Sequence, residues 1–179
     1  MPLPTLSTAN LDLSPLIDAH EGLYRALYCC PRVMARIAPP LDEGAASRAF
    51  RAVVGANEAD EPACRVWAVT ERSTRRDVGI GALLHRAPDT EMGLMLLPAA
   101  WNARYSHEVI EALVTHAFDD LAIDRLSGMC QAGPNERMSR RLLCAQGFVD
   151  APPDRPGTAR WILDHDRWRR PVGMGAADG

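Results

Sequence analysis

Residues 93–108, with the sequence GLMLLPAAWNARYSHE, decide the fold of this chain. An apolar run ends at Pro98, a short loop follows, and an amphipathic pattern then continues from about Ala103 to Leu121. This order predicts a buried strand, a loop and a long helix. The first turn of a helix has free backbone N–H groups at the positive end of the helix dipole, and both favour a bound phosphate. The stretch therefore predicts a site for a nucleotide-type ligand.

The bulk composition is that of a soluble globular protein. The chain has 179 residues, 47% of them hydrophobic and 24% charged, and we expect one domain over residues 1–170 with a flexible tail at 171–179. The net charge of −3 gives no overall field that would attract nucleic acid or an anionic membrane. The sequence has no membrane-spanning apolar run and no signal-peptide pattern at its start. We therefore expect a cytoplasmic protein without nucleic-acid or membrane partners.

Two features of the composition exclude kinds of chemistry. All 20 basic residues are arginine, so no lysine can act as a nucleophile or general base. The five cysteines lack C-x-x-C spacing, and we expect no metal site. Cys64, Cys130 and Cys144 lie among apolar residues, and we expect them to fill space in the core.

Hydrophobic periodicity predicts about seven strands and about four helices in a mixed α/β sheet. The central strands form an antiparallel meander, and the long helix then leads into the next strand. The predicted strands cover residues 6–13, 64–70, 78–84, 91–97, 123–129, 148–151 and 160–163. The predicted helices cover residues 18–28, a segment from Asp42, residues 103–121 and residues 135–145, with one further turn near 33–37 and a polar turn at 55–63.

The order of these elements, together with a set of short markers, resembles the GNAT superfamily of acyl-CoA N-acyltransferases. The likeness is greatest to its RimJ/RimL-type branch of ribosomal-protein-alanine N-acetyltransferases. It implies a mostly antiparallel sheet in which the fourth and fifth predicted strands splay apart to hold the pantetheine arm of acyl-CoA. The markers are EMGLMLLP at 91–98, Trp101, YSHE at 105–108, Ala117-Phe118, DRL at 124–126, NERMS at 135–139, Leu142 and Gly147-Phe148.

The resemblance also implies a set of residues that bind acetyl-CoA or another acyl-CoA. Its pyrophosphate loop corresponds to residues 101–106, where Arg104 replaces the central glycine of the family pattern and Ser106 replaces the closing Gly or Ala. Three outcomes stay open: the Arg104 guanidinium takes over the phosphate contacts, the binding mode shifts, or CoA binding is lost. The implied cofactor-binding residues are Leu96, Leu97, Asn102, Ala103, Arg104, Tyr105, Ser106, Asn135 and Arg140.

Two of these residues lie at the last helix and have a second interpretation. Asn135 corresponds to a family asparagine that contacts pantetheine, displaced here by one position, but it is also a suitable N-cap. Arg140 belongs to a basic patch that could receive the 3′-phosphate of CoA. It could equally lie on a solvated helix face.

Acyl transfer to an amine needs a base for the ammonium proton and an acid for the departing thiolate. Glu91 begins the central predicted strand, where relatives often carry an acidic residue, and it is the candidate base. Its alternative is an exposed carboxylate at a strand end. The last helix lacks the tyrosine that many relatives use as the acid, so Ser139 or a water molecule would serve. Glu108, in the first turn of the long helix, favours a structural role through the helix dipole.

The sequence thus predicts an N-acyltransferase, most simply an N-acetyltransferase, that acts on a primary amine of a protein N-terminus or a small molecule. Two alternatives remain: a catalytically degenerate binding protein of the same fold, and an enzyme acting on another CoA or carrier thioester. The oligomeric state stays open, a homodimer included.

Overall fold

The computed structural model describes residues 3–35, 37–59, 62–101, 104–133 and 136–168. Eight strands form one sheet in the order β1-β2-β3-β4-β5-β6-β8-β7. The strands are Leu6–Ser7 (β1), Leu11–Pro15 (β2), Cys64–Glu71 (β3), Arg76–Arg86 (β4), Asp89–Leu96 (β5), Arg125–Gln131 (β6), Val149–Ala151 (β7) and Thr158–Asp164 (β8). The α-helices are Glu21–Tyr28 (α1), Pro31–Met34 (α2), Glu43–Asn57 (α3), Tyr105–Thr115 (α4) and Glu136–Cys144 (α5).

The strand pairing confirms the predicted mixed sheet. Strands β3, β4 and β5 are an antiparallel meander, and β7 and β8 form the closing hairpin. Only the β5–β6 pair is parallel within the described part of the chain, and α4 connects its two strands. A parallel pair needs such a crossover, because a tight turn can join only antiparallel strands.

The prediction of a single first strand over 6–13 is wrong. The segment forms a small hairpin, in which Leu6 of β1 lies opposite Leu13 of β2. The backbone N–H of Thr8 donates to the carbonyl of Leu11 at 2.8 Å and closes the turn. Apolar and polar residues alternate across this turn as they would along one strand, so the pattern conceals the break. The sheet therefore has eight strands.

The helix ends also differ from the prediction. Helix α3 continues through Asn57, although the sequence predicted a polar turn there. The Asn57 side-chain amide donates a hydrogen bond to the Val66 carbonyl and accepts one from the Val66 N–H. Helix α4 begins at Tyr105 and continues after Thr115 as a π-helical segment, His116–Asp120. Gly147 ends the turn after α5 with φ +91°, a conformation that favours glycine. The predicted tail at 171–179 lies outside the described residues.

The core has two parts, one on each face of the sheet. Helices α4 and α5 cover one face, whose core includes Met92, Ile110 and Leu143. Helices α1, α2 and α3 cover the other face, whose core includes Met95. Because side chains alternate along a strand, Glu91 shares the Met95 face of β5. None of the helices in the described ranges is long and apolar enough to cross a bilayer.

Strands β5 and β6 separate part-way along their length, as predicted. They pair only from Thr90↔Leu126 to Met92↔Gly128, yet β5 continues to Leu96 and β6 to Gln131. The sheet thus contains an internal wedge. The wide end of this wedge lies on the side of the loop that leads into α4, because β5 runs from the paired end towards that loop.

Candidate functional site

Two cavities that share four lining residues fill the wedge between β5 and β6, and we call them together the splay cleft. The larger has a volume of about 370 Å³ and the smaller about 140 Å³. The residues shared by both are Leu94, Met129, Ser139 and Leu142. The larger cavity is also lined by Val33, Ile37, Met95, Leu96, Trp101, Ser106, Cys130 and Met138, and the smaller by Met92, Gly93, Ile110, Gly128 and Leu143.

The wide end of the splay cleft lies beside the start of α4, where a phosphate-binding turn was predicted. Ser106 lines the cleft from the first turn of this helix. Arg104 is exposed and precedes the helix with φ −72° and ψ 15°, an ordinary conformation that does not need glycine. Its carbonyl accepts from the His107 N–H at 3.1 Å. The first-turn N–H groups and the Arg104 guanidinium together make this end suitable for an anion.

Two aromatic side chains fix the approach to α4. The Trp101 indole N–H donates to the Leu96 carbonyl at 2.8 Å, and the Arg32 guanidinium lies 5.3 Å from the centre of the Trp101 ring. The Tyr105 hydroxyl donates to the carboxylate of Glu71 at the end of β3. Hydrogen bonds from Thr74 and Tyr105 lower the pKa of the Glu71 carboxyl. The Tyr105 side chain thus anchors the helix, and its contribution to a ligand would come from the backbone.

Glu91 lies near the narrow end of the splay cleft. It pairs in register with Ser127, next to Met92, the last β5 residue that pairs with β6. Its carboxylate contacts two guanidinium groups, at 3.3 Å from Nε of Arg86 and 3.8 Å from Nη2 of Arg155, and its side chain is 20% exposed. The carboxylate is therefore partly exposed to solvent and is oriented by the two arginines, on the α1–α3 face of the sheet.

Ser139 lies at the junction of the two cavities. It projects from α5 and lines both, and its hydroxyl lies near the Cys130 thiol on β6. Burial raises the pKa of this thiol, although the Ser139 contact lowers it in part. Cys130 is therefore a protonated, weakly nucleophilic group in the wall of the cleft.

Comparison with known proteins identifies the family. The sequence profile of the acetyltransferase (GNAT) domain matches residues 10–149. The chain belongs to the GNAT acetyltransferase family. Among curated proteins it is similar to the uncharacterized N-acetyltransferase YoaA of Bacillus subtilis, with 27% identity over 85 residues. That alignment covers 46% of this chain and 47% of YoaA, so the chain matches about half the length of its relative.

Solved GNAT structures share the fold over nearly the whole chain. An acetyltransferase from Agrobacterium tumefaciens superposes with a TM-score of 0.77 and 23% identity, covering 91% of this chain and 95% of that one. The ribosomal L7/L12 α-N-protein acetyltransferase RimL superposes with a TM-score of 0.75 and 11% identity, covering 90% and 98%. The RimL structure contains coenzyme A, joined by a disulfide to a cysteine of that protein.

The GNAT fold brings some of the sequence-predicted residues together and separates others. Leu96, Ser106 and Ser139 line the splay cleft, with Arg104 and Tyr105 beside its wide end. The backbone N–H of Leu97 instead donates a hydrogen bond to the carbonyl of Val78 on β4, and its side chain packs against the α1–α3 core. Arg140 pairs with Asp150 at 2.6 Å, and both side chains are more than half exposed. The remaining predicted residues, Asn102, Ala103 and Asn135, lie outside the described residues.

The sequence did not indicate the apolar wall of the cleft, formed by residues such as Met92, Ile110 and Leu143. These residues have the periodicity of ordinary core positions. The sequence around each of them does not indicate that it lies beside a gap in the sheet. The expectation that Cys144 fills the core is wrong, since Cys144 is exposed. No group of three or more His, Cys, Asp or Glu residues in the described ranges could hold a metal ion.

Proposed function

We propose that this GNAT protein transfers an acyl group from acyl-CoA to a primary amine. The observation that carries the proposal is the splay cleft. It leads from an anion-suited helix start, past Ser106 and Leu96, to the narrow end near Glu91. A long ligand with phosphates at one end and an apolar arm fits such a path.

The reaction proposed is direct attack of the amine on the thioester. A C–N bond forms at the thioester carbonyl, the C–S bond breaks, and CoA leaves as a thiolate. The ammonium proton of the acceptor passes to the Glu91 carboxylate, directly or through one water molecule. The nitrogen loses its second proton as the amide forms, and this proton ends on the departing thiolate, relayed by the Ser139 hydroxyl, which gives one proton and takes up the other, or by a water molecule. A covalent enzyme intermediate is not needed, and the raised pKa of the Cys130 thiol argues against one.

The acceptor proposed is a protein N-terminus or a small-molecule amine. RimL, one of the structural neighbours, is a protein N-terminal acetyltransferase that shares 11% identity with this chain. The sequence markers described above favour the RimJ/RimL-type branch. The open, half-buried position of Glu91 is compatible with either acceptor, because the carboxylate can be approached from solvent.

The runner-up is a GNAT-fold protein that binds a partner without catalysing transfer. Arg104 in place of the loop glycine and the absence of a tyrosine from α5 favour it. So does the contact between Ser139 and Cys130, because it engages the hydroxyl that would protonate the thiolate.

Ligand binding tests the step on which the acyltransferase proposal depends. We expect CoA and acetyl-CoA to stabilise the folded chain by about 2.7 kcal/mol at 100 times the dissociation constant, a rise in Tm of about 5–10 °C for a domain of this size. ADP is the matched control, since it carries the pyrophosphate but not the pantetheine arm, and it should stabilise less. If calorimetry at millimolar CoA detects no binding, the acyltransferase proposal is wrong and the runner-up replaces it.

A further inference from the structure

We propose that the acyl group carried by the donor is longer than acetyl, with up to about six carbon atoms. This inference rests on the proposed function, because it needs acyl-CoA in the splay cleft. It assigns the 140 Å³ cavity between β5, α4 and α5 to the acyl chain. We call this cavity the inner cavity.

The lining of the inner cavity suits a hydrocarbon. Its apolar lining comes from Met92 and Leu94 on β5, Gly128 and Met129 on β6, Ile110 on α4, and Leu142 and Leu143 on α5. Among the residues that the structure describes, and apart from backbone, its one polar lining group is the Ser139 hydroxyl, at the junction with the larger cavity. Methionine and leucine side chains adapt to the shape of an apolar ligand and offer no hydrogen bond to a polar one.

The size of the inner cavity exceeds what an acetyl group needs. An apolar cavity of about 150 Å³ in another protein stays dry and accepts benzene, a six-carbon molecule. The inner cavity has nearly the same volume, about 140 Å³, and differs in being open towards the larger cavity, with which it shares Ser139. An acetyl group has a single methyl beyond its carbonyl and would leave most of this space empty.

The position of the inner cavity places it at the acyl end of a bound CoA. A ligand anchored by phosphate at the start of α4 that follows β5 backwards reaches Leu96 first, then Leu94, and Met92 last. Of these three residues, only Met92 and Leu94 line the inner cavity. The part of the ligand most distant from the phosphates therefore enters it.

The inner cavity and the proposed base lie on opposite faces of β5. Met92 belongs to the α4–α5 face, and the neighbouring Glu91 belongs to the α1–α3 face. A thioester carbonyl held at this level would have its alkyl chain directed under α4 and α5, with its other side open to an amine that approaches past Glu91. Donor chain and acceptor then do not compete for space.

The floor of the inner cavity is set by contact between Gly128 and Leu143. A Cβ added at Gly128 would lie 2.9 Å from Cδ1 of Leu143, closer than real Cβ contacts come. Glycine thus lets α5 lie close against β6, so that Leu143 limits the depth of the cavity on this side. A cavity with a floor predicts an upper limit to chain length as well as a preference for length.

The test measures dissociation constants by calorimetry for free CoA and for its acetyl, butanoyl, hexanoyl and octanoyl thioesters, so no acceptor amine is required. Each methylene buried should tighten binding up to about fourfold, which corresponds to about 0.8 kcal/mol. We expect hexanoyl-CoA to bind at least about tenfold more tightly than acetyl-CoA, and octanoyl-CoA no more tightly than hexanoyl-CoA.

Three variants locate the effect. Ile110→Phe fills the inner cavity from α4. Leu142→Phe fills it from a half-buried position, where a larger side chain is better tolerated, and it replaces the first variant if that one does not fold. Both should reduce the preference for hexanoyl over acetyl to below about twofold while free CoA still binds. Arg141→Phe is the matched control, because Arg141 is exposed on α5 and is not among the residues that line either cavity. It should keep the full preference.

The outcomes separate this inference from the function on which it rests. Equal dissociation constants for all thioesters, or a preference that survives both cavity-filling variants, would overturn the inference while CoA binding still supports the acyltransferase. Loss of binding for free CoA and for every thioester in the parent protein would overturn both.

Discussion

Among the individual residues, Glu91 is the base proposed for the reaction. Two guanidinium groups contact its carboxylate, and it lies beside the last paired residues of β5 and β6. If it is the base, Glu91→Gln keeps the shape and removes the proton acceptor. Turnover on any amine that the parent acylates should then fall by about a hundredfold or more, with the CoA dissociation constant nearly unchanged by calorimetry.

The control for this variant is Glu111→Gln, an exposed carboxylate on α4 away from the splay cleft. It should leave turnover unchanged. If Glu91→Gln is as active as the parent up to alkaline pH, water or the substrate itself supplies the base, and Glu91 is a strand-end carboxylate held by arginine.

Arg104 is the second residue whose role a substitution can decide. If its guanidinium contacts phosphate, Arg104→Ala should weaken CoA binding by about 1.5 to 3 kcal/mol, the range for hydrogen bonds to charged groups. Arg104→Gly should behave like Ala, because the backbone at this position already has an ordinary φ of −72° and gains nothing from glycine. Calorimetry with CoA measures both, with the exposed Arg76→Ala as control.

The opposite result would have a clear meaning. Tighter binding by Arg104→Gly than by the parent would show that the side chain obstructs the loop. The phosphate would then depend on the first-turn N–H groups of α4 alone.

At the scale of elements, Glu108 joins α4 to the first hairpin. Its carboxylate accepts from the Thr8 hydroxyl at 2.5 Å, from the Asn10 side chain at 2.7 Å and from the Asn10 backbone N–H at 3.0 Å. Burial acts to raise the pKa of this carboxyl, but the hydrogen bonds and the Arg104 charge outweigh it, so the pKa is lowered. Glu108 thus has the structural role expected from its place at the helix start, and in addition it connects α4 to the first hairpin.

The lowered pKa makes this contact dependent on pH. A carboxyl whose pKa is depressed by folding stabilises the folded state above its unfolded pKa, near 4.3, and this contribution is lost as the pH falls through the folded pKa. We expect Glu108→Gln to lower the free energy of unfolding at pH 7 by about 1 to 3 kcal/mol. The difference from the parent should shrink below about pH 4.

Urea unfolding of both proteins at pH 7 and at about pH 3.5 measures this difference. Glu111→Gln, one turn further along the same helix, is exposed and should cost little at either pH. A constant difference between Glu108→Gln and the parent across this range would mean that the carboxylate charge contributes nothing and that the loss comes from replacing an acceptor oxygen by an amide NH2.

The elements also show which signals a sequence carries. The strand before α4 and the helix itself were predictable, because buried strands and amphipathic helices leave clear periodicities. The β1–β2 hairpin was not, since its turn at Thr8 preserves the alternation of a single strand. The sequence did not predict the extension of α3 to Asn57, because a polar residue in this context indicates a turn. In the structure its side chain instead forms a hydrogen bond with buried backbone.

For the whole molecule, the fold could be predicted but the candidate site only in part. The order of elements identifies the topology, and the helix start at the wide end of the splay cleft, proposed to hold phosphate, follows from one contiguous stretch. The apolar end does not, because Met92, Ile110 and Leu143 come from three separate elements and meet only through packing. Contacts of that kind leave no local pattern, and the preference for acyl length argued above needed the three-dimensional structure.

The sheet ends in very short strands, and this bears on self-association. The edge strands are Leu6–Ser7 and Val149–Ala151, of two and three residues. A neighbouring copy that added itself to either edge would gain few main-chain hydrogen bonds, and proteins use such truncated edges to prevent uncontrolled aggregation. Within the part of the chain that the structure describes, side chains on helices and loops therefore offer more contact to a second copy than the sheet edges do.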